Sequence, residues 1–352
     1  MTIRSDGKGR GARGRWLGAL VVCALAAPFG WAAQGEHLVI SEVGYDTANE
    51  GAGASSEFVE IFNPTDHAID LSNYYLSDDP RSYALVSDFN YSTTGNLVLL
   101  PTNSDFIHRF PDGLTIPSGG VVVVCADAQT FLDEFFGGSL TAFHAQQGYP
   151  QLVQCNRNGL ASVPRMRPAA TNNSQTSNPL DGLSLTNSGE VVILFHWDQS
   201  SDLVQDVDVV AWGSALSQSP PLNVDKDTDF GGGVDGPDPD ANASMYQPDA
   251  GAPASYAAPR VRQGNSIVRL RLIESQEVTS GGNGITGHDE SSEDWSVFGD
   301  EAASPGTTTL GVPELHVLAT QLDFGRVAVG GEASVELAIE NTGLRDLVVR
   351  GW

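Results

Sequence analysis

Short apolar runs separated by turn-forming residues dominate the chain. "HLVISEV" (37–43), "FVEIFN" (58–63), "NLVLLP" (96–101), "GGVVVVCA" (119–126), "GEVVILFHW" (189–197), "DVDVVAW" (206–212) and "NSIVRLRL" (265–272) are rich in Val, Ile and Leu, with Gly, Pro, Asn, Asp or Ser between them. Runs of this kind read as the strands of a β-sandwich or barrel. No long stretch carries helical periodicity with caps, and "FLDEFFGG" (131–138) predicts one short helix stopped by its glycines.

The pattern also sorts the acids of "SSEFVEIFNPTDHAIDLSNYYLSDDP" (55–80). Side chains alternate across a strand, so Phe58, Glu60 and Phe62 go to one face and Glu57, Val59, Ile61 and Asn63 to the other. Glu57 and Glu60 therefore do not form a carboxylate pair. Asp66 falls in the "NPTD" turn and Asp70 just ahead of the next bend, where such side chains satisfy local backbone groups. Structural roles are expected for all four acids.

Polar stretches at 161–181, 214–259 and 278–294 are expected to be surface insertions. Linker composition over 301–314, with the linker itself placed at 307–312, separates a first domain (35–306) from renewed apolar periodicity at 313–352.

Charge changes the picture more than composition does. The 352 residues carry 18 Lys and Arg against 44 Asp and Glu, a net of −26. A basic head (1–15), an apolar run "WLGALVVCALAAPFGWAA" (16–33) and small residues at its end read as a signal peptide over 1–32; an uncleaved membrane anchor is the alternative. Cleavage takes five of the 18 basic residues and one of the 44 acidic ones, leaving a net of −30. Such a surface repels phosphate backbones and anionic lipid head groups and attracts cations, so no nucleic-acid partner is expected. The mature chain is expected to be secreted or displayed at the cell surface, with no transmembrane span.

Candidate chemistry is sparse. Cys125 and Cys155 are the two cysteines left after cleavage, an even number in an exported chain, which predicts one disulfide; two separate buried thiols are the alternative. Asp225, Asp227 and Asp229 recur at every second residue in "NVDKDTDFGGGVDGPDPD" (223–240), with Asp235 beyond them, and hard oxygen ligands at that spacing suit Ca²⁺. Phe230 and Gly236 stand where an EF-hand needs its Gly and Glu, so the choice lies between a looser calcium loop and a solvated acidic insertion. The seven histidines are scattered, and no zinc-protease helix, nucleophile elbow, P-loop or dinucleotide motif occurs. No residue earns a catalytic assignment, and aromatics such as Tyr75, Trp197 and Trp212 are expected in core packing.

Several segments in order resemble the lamin-tail domains of exported bacterial proteins: "LVISEVGYD" (38–46), "SEFVEIFNPTDHAIDLSNYYLSDD" (56–79), "LTIPSGGVVVVCAD" (114–127), "LTNSGEVVILFHWDQSSDLVQDVDVVAWG" (185–213), "NSIVRL" (265–270) and "EDWSVFGDEAASPGT" (293–307). The resemblance implies an all-β, immunoglobulin-like β-sandwich with long loop insertions. Residues 313–352, with "LDFGRVAVGG", "SVELAIEN" and "NTGLRDLVV", resemble the first half of a second immunoglobulin-like domain, of the bacterial kind related to spindle, centrosomal and ciliary proteins. The combined expectation is a non-enzymatic exported scaffold that binds a protein or a surface polysaccharide. The alternatives are an accessory domain of a secreted hydrolase or nuclease whose catalytic part lies beyond Trp352, and a DNA-binding lamin-tail module, which the charge disfavours.

Overall fold

The structure, a computed structural model, describes residues 36–51, 54–79, 106–146, 149–156, 158–172, 183–213, 233–236, 239–246, 258–272, 274, 280–287, 295–308 and 310, with short strands at 2–4, 98–100, 315–317, 334–336 and 339–341. Contacts divide the chain into two units, Gln34–Leu310 and a second made of Met1–Ala33 with Gly311–Trp352.

In the larger unit the apolar runs become strands β1 (Val39–Gly44), β2 (Phe58–Phe62), β3 (Tyr74–Ser77), β4 (Ile107–Arg109) and β5 (Val121–Cys125). Two helices follow, α1 (Ala128–Phe136) and α2 (Leu140–His144), and then β6 (Gln151–Gln154), β7 (Arg167–Pro168), β8 (Gly189–His196), β9 (Gln205–Gly213), β10 (Asn265–Arg269) and β11 (Phe298–Ala302). One sheet has the order β6-β5-β2-β1-β10-β11 and the other β7-β4-β3-β8-β9. The all-β sandwich expected from the strand pattern is therefore present, its main core cluster drawing on both sheets.

Alternation on β2 and β5 runs as the sequence predicts. Val59, Ile61, Val122 and Val124 join the sandwich core. Phe58, Val123 and Cys125 join a second cluster with Phe131, Leu132 and Phe143 of the helices, which cover the outer face of the six-stranded sheet. The β5–α1–α2–β6 crossover explains why β6 pairs parallel to β5.

The helix expected from residue 131 begins three residues earlier, because Asp127 caps it by accepting from Thr130 N at 2.8 Å. It ends where expected, at Gly137 in the left-handed region (φ 58°). α2, capped by Ser139, was not expected; five residues are too few to show a period.

The expected surface insertions are partly structural. Val163, Met166 and Ala169 are buried, as are Val234, Tyr246 and Ala258. β7 pairs with β4, and single bridges join Asp206 to Gly284 and Trp212 to Ala258 along β9. These segments cover a sheet edge that would otherwise stay open.

In the second unit, Thr2–Arg4 pairs antiparallel with Ser334–Glu336, and Leu315–Val317 with Ile339–Asn341. The apolar run 16–33 of the expected signal lies outside the described residues. Among those described, no helix is long and apolar enough to cross a membrane.

Candidate functional site

The turn that opens the signature is built around Asn63. Its amide donates to the carbonyls of His67 (2.8 Å) and Ile116 (2.9 Å), and its carbonyl accepts from Thr65 N (3.0 Å) and Thr65 Oγ1 (2.6 Å). Asp70 accepts from Ser72 N and Ser72 Oγ, and those bonds hold its carboxyl below the usual range. Asp66 is exposed and contacts His67. The structural roles expected for Asp66 and Asp70 match these contacts.

Glu60 has a carboxylate partner that the sequence did not nominate. A bulge between Ile40 and Glu42 shifts the β1 register, so that Glu42 stands directly opposite Glu60. Simple alternation from Ile40 would send Glu42 into the core; the extra residue turns it to the outer face. Both side chains are buried, at 2% and 1% exposure.

The pair is closed over by the segment after β11. Glu42 accepts from Ser304 N (2.8 Å), Ser304 Oγ (3.2 Å) and Ser266 Oγ of β10 (2.5 Å). Glu60 accepts from Gly306 N (2.7 Å) and Ser41 Oγ (2.6 Å). Gly306 sits at φ +84°, with Phe143 of α2 at 3.0 Å from any added Cβ, so the strap reaches Glu60 only with glycine there. Burial pushes Glu60 up to about 8, helped by the neighbouring Glu42 carboxylate and opposed by Ser41 and Gly306. Burial likewise raises Glu42 to about 7, against the bonds from Ser266 and Ser304.

A second buried charge group ties the two sheets together. Arg269 of β10 makes a two-pronged bond to Asp208 of β9 (2.7 and 2.8 Å), pairs with Glu274, and donates from Nε to Ile40 O (3.1 Å). Its guanidinium lies 4.7 Å from the centre of the Phe298 ring. Asp208 also accepts from Ile40 N.

A polar cleft of about 550 Å³ lies beside the β8–β9 turn, reached by loops 240–244 and 282–284. Asp198, Asp202, Gln205, Asp240, Asn242 and Asn283 are among its polar groups, with His196 also in the lining and no Lys or Arg. Burial opposes ionisation of Asp198, but bonds from the Ser201 and Ser200 amides and hydroxyls hold it down to about 2. Asp202 accepts from Gly236 N (2.9 Å) and Ser244 Oγ (2.5 Å). The cleft suits a cation or a hydroxyl-rich ligand and repels an anion.

Of the residues expected to hold a metal, Asp225, Asp227 and Asp229 lie outside the described residues, and Asp235 is exposed. Among the described residues no group of three or more His, Cys, Asp or Glu is placed to hold an ion. The disulfide expected between Cys125 and Cys155 is not formed. Cys155 N donates to Cys125 O at 2.9 Å, making the two residues neighbours on adjacent parallel segments. Their side chains face opposite sides of the sheet, Cys125 towards the helices and Cys155 into the sandwich core. Burial, then the nearby Cys155 and Asp127, push the Cys125 thiol well above its ordinary value.

The aromatic residues pack as expected: Tyr75 stacks on Phe195 (5.0 Å), and Tyr45 of the first sheet stacks on Trp212 of the second (4.7 Å).

Over 87 residues the chain is 34% identical to the Uncharacterized protein YvnB of Bacillus subtilis (strain 168), a stretch that is 25% of this chain and 5% of that protein. The chain thus spans about a twentieth of the length of that curated relative. A crystal structure of a DUF4876 family protein from Bacteroides thetaiotaomicron VPI-5482 superimposes with a TM-score of 0.36 and 14% identity, covering 76% of this chain and 72% of that one. The family model for the Lamin Tail Domain matches residues 32–214, more than half of the 352 residues, and the chain belongs to that family.

Proposed function

We propose that this chain is a non-enzymatic, exported interaction protein whose lamin-tail sandwich presents the polar cleft beside the β8–β9 turn to a protein or surface polysaccharide. The observation that carries this reading is where the acids are used. Glu42, Glu60, Asp208 and Glu274 are consumed by bonds that hold strands and strap together. None of them borders the open cleft, which is lined by Asp198, Asp202 and Asp240. An acceptor-rich cleft without Lys or Arg, its His196 held towards the neutral form by burial, favours hydroxyl-rich or cationic groups over phosphate.

The test is calorimetric titration of the intact chain with purified cell-surface polysaccharides and surface proteins. Binding is expected to weaken at least tenfold in Gln205→Ala with Asn283→Ala, with the melting temperature unchanged. Turnover of nucleic acid, peptide or glycan by the purified chain in millimolar Mg²⁺ or Zn²⁺ would sink the reading, as would tight DNA binding at ~150 mM salt. The segment holding Asp225, Asp227, Asp229 and Asp235 is read as solvated charge, with Ca²⁺ as the alternative. A rise in melting temperature with Ca²⁺ relative to chelator would replace the first by the second.

A further inference from the structure

We propose that Glu42 and Glu60 hold one proton between them at neutral pH and use it to latch the Ser304–Gly306 strap, so that the end of the lamin-tail domain is tight in acid and loosens as pH rises through neutrality. The geometry allots the proton. Glu42 receives three hydrogen bonds over both of its oxygens and is the better-solvated anion. Glu60 receives two and carries the hydrogen.

Among the described residues the cation of these elements, Arg269 of β10, is committed to Asp208 and Glu274 between the sheets and donates from Nε to Ile40 O. From β1 and β10 come the hydroxyls of Ser41 and Ser266, and from the strap Ser304 and the Gly306 N–H. On β5, Val123 stands opposite Glu60. Glu301, opposite Ser266 in the β10–β11 register, and His144 at the end of α2 are both exposed. Two carboxylates buried side by side without a cation cannot both ionise cheaply, so a proton supplies the missing positive charge.

The sign follows from proton linkage. A carboxyl that titrates higher in the closed state than in the open one binds more protons when closed, so closure is favoured at low pH. Stability is lost from just above the ordinary glutamate range until the raised values, about 7 and 8, are passed. The proton leaves to water, and the strap opens over two carboxylates that hydrate.

The experiment is amide exchange of Ser304 and Gly306 in the full chain, expressed as protection relative to the intrinsic rate, from pH 5 to pH 9. Protection is expected to fall by up to about a hundredfold per pH unit while the closed pair holds two protons more than the open one, about tenfold while it holds one more, and to flatten above pH ~8. Glu42→Gln with Glu60→Gln should flatten the whole profile. Protection that does not change with pH in the native chain overturns the proposal. So does protection restored at high pH by Ca²⁺ and lost in chelator, because the pair would then hold a cation. Should the double variant fail to fold, carbon NMR of the glutamate carboxyls in the native chain decides. Two titrations near neutrality support the latch, and two in the ordinary range of ~4 overturn it.

Discussion

Two buried charge groups hold this sandwich, and they are neutralised by opposite means. Between the sheets, Arg269 faces Asp208 and Glu274, so a buried cation offsets buried negative charge inside the fold. On the outer face, Glu42 faces Glu60, like against like, with only hydroxyls and amides around them. The first brings its own counter-charge, because arginine keeps its charge near neutrality. The second depends on the proton supply. One domain thus contains a permanent clamp and a conditional one.

The largest effect is expected from breaking the permanent clamp. Arg269→Ala leaves two buried carboxylates uncompensated and should cost about 3–5 kcal/mol in urea unfolding at pH 8, and less at pH 5, where those carboxylates take up protons more readily. No loss at pH 8 would show that Arg269 is not the clamp.

Smaller, and pH-dependent, is the effect of Ser266→Ala. It removes a buried hydroxyl bond to Glu42 worth about 1–3 kcal/mol while the carboxyl is ionised. The penalty should therefore be greater at pH 8 than at pH 5, and equal penalties would show that Glu42 does not change charge over that range.

Smallest is Asp127→Ala, a helix-cap change away from both groups. A cost of about 1 kcal/mol, independent of pH, is expected from thermal melts. If it also altered the pH dependence, the coupling would run through the helical layer rather than through the strap.

Much of this was legible in the sequence. Period-two alternation placed Val59 and Ile61 on one face and Phe58 on the other, and the core clusters agree. The Asn-Pro turn announced the Asn63 hub. Three features were not legible, each for a physical reason. The bulge at Ser41 is decided by pairing with β2 and shifts the register of one strand only, so "ISEV" reads like an ordinary alternating strand. The cover over β9 comes from segments far along the chain whose few apolar anchors, Val234, Tyr246 and Ala258, are scattered among polar residues. For the cysteines, counting suggested a bond, but parallel pairing across the helical crossover turned the two thiols to opposite faces. The family match ends at 214, while the sheet continues through β10 and β11 to Ala302.

The strap has a mechanical meaning. Gly306 is bonded to Glu60 only a few residues before the unit boundary at 310 and 311. Tension arriving along the chain from the C-terminal side meets buried Leu310 and the Thr307–Gln146 contact, and then the Gly306–Glu60 and Ser304–Glu42 hydrogen bonds, before it reaches β11. Under load these few bonds act as a fuse ahead of the sheet, and the proton shared by two glutamates sets the force at which it gives way.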